Sequence, residues 1–193
     1  MPTGNLNATL IFKPACTAVE AAKRSFLAAN ALEAALAIYV QPEKLALKWP
    51  NDVLLSGGKV AGILLESSGQ GPFVDWLSIG FGVNLAAVPE GVTGAVFAPT
   101  SLRAAGGWDV GPADFLAVLA DAYATQEDKL RTFGFGRIRD DWLSKAARLG
   151  EVITARTGRE DITGRFDTVD LDGNLVLHTA QGPRIIPAAD VYF

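Results

Sequence analysis

Two lysines, a carboxylate and an amide sit close to glycine-spaced apolar runs. Lys48-Trp49-Pro50-Asn51-Asp52-Val53 is followed by Gly58-Lys59-Val60-Ala61-Gly62-Ile63-Leu64 and then by Ser78-Ile79-Gly80-Phe81-Gly82-Val83-Asn84-Leu85. A strand's period of two puts Ile79, Phe81, Val83 and Leu85 on one face of the last segment and Gly80, Gly82 and Asn84 on the other. Two glycines weaken a central strand, and their usual use is to let a ligand or another backbone come close. The bare face therefore reads as the floor of a binding site. Residues 52–55 and 60–65 are apolar runs joined by Ser56-Gly57-Gly58, whose two glycines are expected to supply the positive φ angles of a hairpin turn. Lys59 then begins a strand and, by simple alternation, shares a face with Ala61, Ile63 and Leu65. An ammonium there either meets an anion or snorkels to water at the strand end, and the same pair of readings holds for Lys48. Asn51-Asp52 behind Trp49-Pro50 reads either as a turn or as part of a polar cluster. The cluster, two lysines with one carboxylate and one amide over glycine, suits a phosphate or acyl-phosphate ligand.

The elements that must position these groups follow from periodicity and breakers. Residues 5–13 alternate loosely and end before Pro14, as a strand would. Thr17 with Glu20 forms a capping box that opens an Ala-rich helix reaching Val40, stopped by Pro42, with Phe26, Leu32, Leu36 and Tyr39 as its core stripe. Leu45, Leu47 and Trp49 share one face of the strand entering the first motif. Residues 86–108, rich in Pro, Gly and Ala, form a long excursion of the kind that is often functional. Pro112 suits a first helical position and residues 113–130 follow as a helix. Gly134-Phe135-Gly136 breaks the pattern, and residues 137–149 are expected as a second helix closed by Gly150, with Trp142 in the core. From Glu151 the texture changes to short strands, 152–157, 162–169, 175–179 and 184–187, with Asp172-Gly173 as a hairpin signal. The boundary falls between 148 and 149, and the small second unit is expected to pack on the first.

The 193 residues, 49% apolar and 20% charged, describe an ordinary globular chain able to bury a sizeable core. A net charge of −4 gives no basic footprint for nucleic acid. The single cysteine, Cys16, excludes an internal disulfide and suits a reducing compartment, and no apolar run is long enough for a membrane span. A cytoplasmic protein is expected. No histidine lies near Cys16 in sequence, so the thiol reads as structural, and His178, the only histidine, is expected to project into solvent. No metal-ligand spacing and no Walker-type phosphate loop occur, so lysines and backbone N–H groups must do any phosphate binding.

Lys48-Trp49-Pro50-Asn51-Asp52, then Gly58-Lys59-Val60-Ala61-Gly62-Ile63-Leu64-Leu65-Glu66, then Gly80-Phe81-Gly82-Val83-Asn84, in this order and spacing, resemble the central signature of biotin protein ligases. The resemblance continues through Pro99-Thr100-Ser101-Leu102, and residues 149–193 are similar to the SH3-like C-terminal domain of that family. It implies an α+β fold: a class II synthetase-like domain with a mixed, mainly antiparallel sheet and packed helices, then a small SH3-like β-barrel. It also implies ATP-dependent ligation: biotin's carboxylate attacks the α-phosphate of ATP, with Mg²⁺ assisting pyrophosphate departure, to give biotinyl-5′-AMP. A lysine of a carboxylase's biotin carboxyl carrier domain then takes the acyl group. No nucleic acid or membrane partner is implied, and a homodimer is compatible with it.

Carried over by position, the resemblance implies that Lys59 contacts biotin's carboxylate and the adenylate, and that Lys48 supports the phosphates. Asn51 and Asp52 would orient the acceptor amine or Mg²⁺, and Asn84 would face the adenylate. Gly62, Gly80 and Gly82 would admit the ligand to the backbone beside Ile63, and Trp49 would pack beneath the motif or against the nucleotide. The family also carries, before the part matching Pro2-Thr3-Gly4-Asn5, a biotin-contacting segment and a glycine- and arginine-rich loop that folds over the adenylate. Without them the 193 residues are expected to ligate poorly. A non-catalytic binding protein and a lipoate-type acyl ligase are the alternatives, the second opposed by the lysine-tryptophan-proline-asparagine-aspartate segment.

Overall fold

The glycine-spaced run of residues 78–85 lies one strand in from the edge of a sheet. The computed structural model describes residues 3–89, 97–187 and 189–193. Strands β1 (Leu6–Phe12), β2 (Leu45–Lys48), β3 (Asp52–Leu55), β4 (Gly58–Ser68) and β5 (Trp76–Val83) form one sheet in the order β1-β5-β4-β3-β2. Every pairing between these strands is antiparallel, and the parallel contacts are two isolated bridges, Leu47 with Ala146 and Lys59 with Pro99. Leu77, Ile79, Phe81 and Val83 of β5 are buried on the core side, as the period of two dictates.

Helices α1 (Ala18–Ala22), α2 (Arg24–Leu36) and α3 (Pro112–Leu143) pack against the apolar face. Thr17 accepts from the Glu20 N–H and the Glu20 carboxylate accepts from the Thr17 N–H, so the expected capping box is present. The expected single helix is two, because the chain breaks at Lys23. The second is buried nearly all round: Ala28, Ala29, Ala31 and Ala35 are as inaccessible as Leu27, Leu32 and Leu36. A helix sandwiched between sheet and helix needs small residues on its second face so that both neighbours can come close. Its polar exceptions reach across the interface, Glu33 to Lys145 and the Asn30 Nδ2 to Ile138 O at 3.0 Å, while the Asn30 Oδ1 is buried without a partner.

The α3 helix kinks at Gly134, where φ is 75° and ψ is 177°, at the expected break. It ends at Leu143, six residues before the expected Leu149. The reason is the exposed edge of β2: Leu47 N–H donates to Lys145 O and Ala147 N–H to Leu47 O, both at 2.8 Å. The segment thus leaves the helix to cover an open strand edge. No described helix is long and apolar enough to cross a membrane.

Strands β6 (Val152–Arg156), β7 (Asp161–Val169), β8 (Leu175–Thr179), β9 (Gly182–Ile186) and β10 (Asp190–Tyr192) form a second antiparallel sheet, ordered β10-β6-β7-β8-β9. The last strand, three residues after Pro187, was not expected. The β7–β8 hairpin falls on Asp172-Gly173 as expected, and its tip touches the first unit: the Trp49 indole donates to Gly173 O at 3.1 Å, and Lys23 lies 3.6 Å from Asp172. Trp142 is fully buried beside Phe26, and His178 is exposed.

Candidate ligand groove

The turn between β3 and β4 sets the geometry. Its positive φ angles belong to Ser56 (51°) and Gly57 (81°), where Gly57 and Gly58 were expected. Gly58 is needed for a different reason: a Cβ there would lie 2.9 Å from the Thr100 Cβ. One step on, the register slips. Val53 pairs with Ala61 but Leu54 pairs with Lys59, which leaves Val60 as an extra residue. The bulge corrects the alternation expected for Lys59. Its side chain does not join Ala61, Ile63 and Leu65; it turns to the face of Gly62, whose hypothetical Cβ would be 3.3 Å from the Lys59 Nζ.

On that face one row crosses all five strands of the first sheet, pairing Lys48 with Asp52, Asp52 with Gly62, Gly62 with Gly82, and Gly82 with Asn7. Lys59 Nζ lies 2.6 Å from Asp52 Oδ1 and Lys48 Nζ 3.4 Å from Asp52 Oδ2. The two ammoniums differ in setting, the Lys59 side chain being 44% exposed and that of Lys48 only 8%. Burial pushes the Lys48 ammonium below the ordinary lysine range; Asp52 opposes that shift and Lys59 adds to it. Two cations thus share the one Asp52 carboxylate.

A groove of about 280 Å³ opens above it, walled by Asn51, Asp52 and Lys59 and floored by Gly62, Gly80 and Gly82. A Cβ on Gly80 would come no nearer than 3.6 Å to Leu64 O, so the protein leaves that space open. Ile63 contributes backbone only: its side chain is in the core, its O accepts from Asn51 Nδ2 at 2.7 Å and its N–H donates to Asn51 O at 2.9 Å. Asn7 and Thr9 of β1 also line the groove, a contribution not read from the sequence. Their alternation opposite Gly82 and Gly80 is the signal that would have found them.

Trp49 takes the first of its two expected places, and Asn84 is held by the protein's own backbone. Trp49 is 3% exposed and tied to Gly173, beneath the motif and away from the groove. Asn84 does not wall the groove; its side-chain Nδ2 donates to Thr100 O at 3.0 Å and its backbone O accepts from Leu102 N–H. It thereby anchors the end of the excursion, whose Ala98 and Thr100 also bond to the Lys59 backbone. The part of that excursion at 90–96 lies outside the described residues. Asp52, expected to orient the acceptor amine or Mg²⁺, carries an ammonium partner on each of its oxygens in this structure. Among the described residues no three His, Cys, Asp or Glu side chains converge as ligands. An open, glycine-floored groove with the Lys59 ammonium at one end and Glu66 also on its wall suits an extended ligand that lies along the backbone and presents its anionic group to Lys59.

The model of the biotin/lipoate A/B protein ligase family matches residues 1–144, and that of the biotin protein ligase C terminal domain matches residues 149–193. The chain is 49% identical over 196 aligned residues to a biotin–[acetyl-CoA-carboxylase] ligase of Paracoccus denitrificans, covering all of this chain and 82% of that protein. Among solved structures, a biotin protein ligase-like protein of unknown function from Silicibacter sp. TM1040 superposes with a TM-score of 0.81 at 25% identity, over 97% of this chain and 80% of the other. The Aquifex aeolicus biotin protein ligase, solved with biotin and ATP, shares the fold at a TM-score of 0.79 and 23% identity, over 97% and 77%. With both units matched by their models, the chain belongs to the biotin/lipoate A/B protein ligase family and carries that family's biotin protein ligase C-terminal domain.

Proposed function

We propose that the protein is an ATP-dependent biotin–protein ligase, with residues 1–148 as the catalytic unit and 149–193 as its SH3-like companion. The observation that carries this reading is the cluster of Lys48, Asp52 and Lys59 at the head of the glycine floor. The groove offers one half-exposed ammonium, Lys59, able to leave Asp52 for a ligand while Lys48 keeps the carboxylate neutralised. In the first step a carboxylate oxygen of biotin attacks the α-phosphorus of ATP, the bond to pyrophosphate breaks, and biotinyl-5′-AMP remains. Lys59 would balance the negative charge developing on the phosphoryl oxygens, and the backbone at Gly80 and Gly82 would let the ligand lie flat. Mg²⁺ would enter with ATP as the Mg-ATP substrate, since among the described residues no cluster of metal-ligating side chains is found.

In the second step the neutral amine of an acceptor lysine attacks the acyl carbon, AMP leaves and an amide forms. Asp52 and Asn51 stand at the groove wall where that amine would arrive, and holding it in line is their part. The acceptor would be the biotin carboxyl carrier domain of a carboxylase. The full-length relative's name and the match to the C-terminal domain favour biotin over lipoate. The test incubates the chain with biotin, Mg-ATP and a carrier domain while following carrier mass, with lipoate in parallel. A mass increase with biotin, however slow, and none with lipoate is expected. No adduct, together with no calorimetric binding of a stable biotinyl-adenylate analogue, would overturn the assignment.

A further inference from the structure

Lys48 is the dry member of the lysine pair, its side chain 8% exposed against 44% for Lys59. The Phe97 ring lies over it, its centroid 5.0 Å from the Lys48 Nζ. Phe97 in turn meets Phe193 edge-on, with centroids 4.6 Å apart and planes at 61°. Phe193 follows β10 in the second sheet and is backed by the Arg148 guanidinium, 5.1 Å from its ring. A line of contacts thus runs from the second sheet through Phe193, Phe97 and Lys48 to Asp52 and Lys59. Nothing in the motif requires such a connection.

We propose that Phe193 is a positioning residue for the ligand groove: it holds the Phe97 ring against the Lys48 ammonium, and so keeps Lys48 shielded from water and engaged on Asp52. A T-shaped aromatic pair and a ring over an ammonium both depend on the rings staying in place. With Phe193 gone, Phe97 loses its support on that side and water reaches the Lys48 Nζ. The charged groups acting on Lys48 are Asp52 of β3, Lys59 of β4 and Asp190 of β10, the last also from the second sheet. Lys48 is then free to leave Asp52, the carboxylate falls to Lys59 alone, and Lys59 is less available to a ligand. The second unit acts on the chemistry by fixing which lysine is free.

The catalytic part of this inference rests on the function proposed above; the Lys48 part does not. The parent, Phe193→Ala and Phe193→Leu are produced with ¹³C-labelled lysine, and the Lys48 side-chain signal is identified by its loss in Lys48→Arg. Its titration is followed by NMR without any ligand. In Phe193→Ala the Lys48 midpoint should move upward toward ordinary lysine, and in Phe193→Leu, which keeps apolar bulk, it should return toward the parent. In pyrophosphate-release assays Phe193→Ala should raise KM roughly 2- to 30-fold, the range set by loss of a ring–cation contact, with a smaller change in kcat. An unmoved Lys48 midpoint in Phe193→Ala overturns the proposal. Should Phe193→Ala not fold, the same reading is taken on Phe97→Leu, where an unmoved midpoint is equally fatal. A parent that releases no pyrophosphate counts against the ligase reading and leaves the Lys48 titration to decide this one.

Discussion

Lys59 reaches Asp52 across the β3–β4 hairpin, Nζ to Oδ1 at 2.6 Å, because the extra residue Val60 turns the lysine off the core face. Without that bulge the ammonium would lie among Ala61, Ile63 and Leu65, where its charge would have no partner. The same slip lets Val60 and Ala61, adjacent in sequence, both be buried. One inserted residue therefore builds the cation of the groove and closes the core beneath it.

Replacing Lys59 by Ala should weaken an adenylate ligand and leave the fold intact, since the side chain is half exposed and acts through charge. A charge-assisted contact contributes about 1.5–3 kcal/mol, or roughly a 10- to 150-fold change in Kd. Calorimetry with a stable biotinyl-adenylate analogue measures it, and unchanged affinity in a folded Lys59→Ala would remove Lys59 from the site.

Gly80→Ala should move stability and binding in opposite directions. The new Cβ meets only ordinary contacts, 3.6 Å to Leu64 O and 3.8 Å to Leu64 Cβ, so the strand should gain roughly 0.5–1 kcal/mol from lost backbone freedom. The same methyl group projects into the groove and should reduce affinity for the analogue. Urea titration and calorimetry on one preparation separate the effects; a loss of stability would mean that Gly80 serves packing.

Much of this was legible because local rules agreed with the fold. The alternation of β5, the box at Thr17 and the break at Gly134 are each decided within a few residues of chain, and each stands where expected. What escaped depends on partners far away in sequence. The bulge at Val60 exists only relative to β3, the end of α3 at Leu143 is decided by the β2 edge, and Trp49 is claimed by Gly173. For Asn84 the missing information is the excursion, whose Thr100 carbonyl accepts from its amide. The three-residue β10 carries too little pattern to be read alone, yet through Phe193 it reaches Lys48.

Gly173→Ala tests whether the β7–β8 hairpin tip holds the two units together. Its φ is 87°, and a Cβ there would lie 3.0 Å from the Phe26 Cε2. Left-handed backbone alone costs a non-glycine residue about 1–2 kcal/mol, and the Phe26 contact adds to it. Unfolding by denaturant should show a loss of at least that order. A variant as stable as the parent would show that the tip shifts without consequence.

The same hairpin should carry a pH signature through Asp170. Burial raises its pKa, but hydrogen bonds from the Asn174 side chain and N–H and from the Asp172 N–H outweigh that and hold it below the ordinary aspartate value. A carboxyl whose folded pKa lies below its unfolded one adds stability that is complete above the unfolded value and is lost as pH falls through the folded one. In Asp170→Asn the fold keeps an acceptor oxygen and loses the charge, so it should be less stable at neutral pH by roughly 1 kcal/mol, the difference between charged and neutral hydrogen bonds. As pH drops below the ordinary aspartate range the parent should lose this advantage and the two unfolding curves should converge. Urea unfolding of both proteins from neutral pH downward measures the gap, and a gap independent of pH would mean that Asp170 contributes through shape and not through charge.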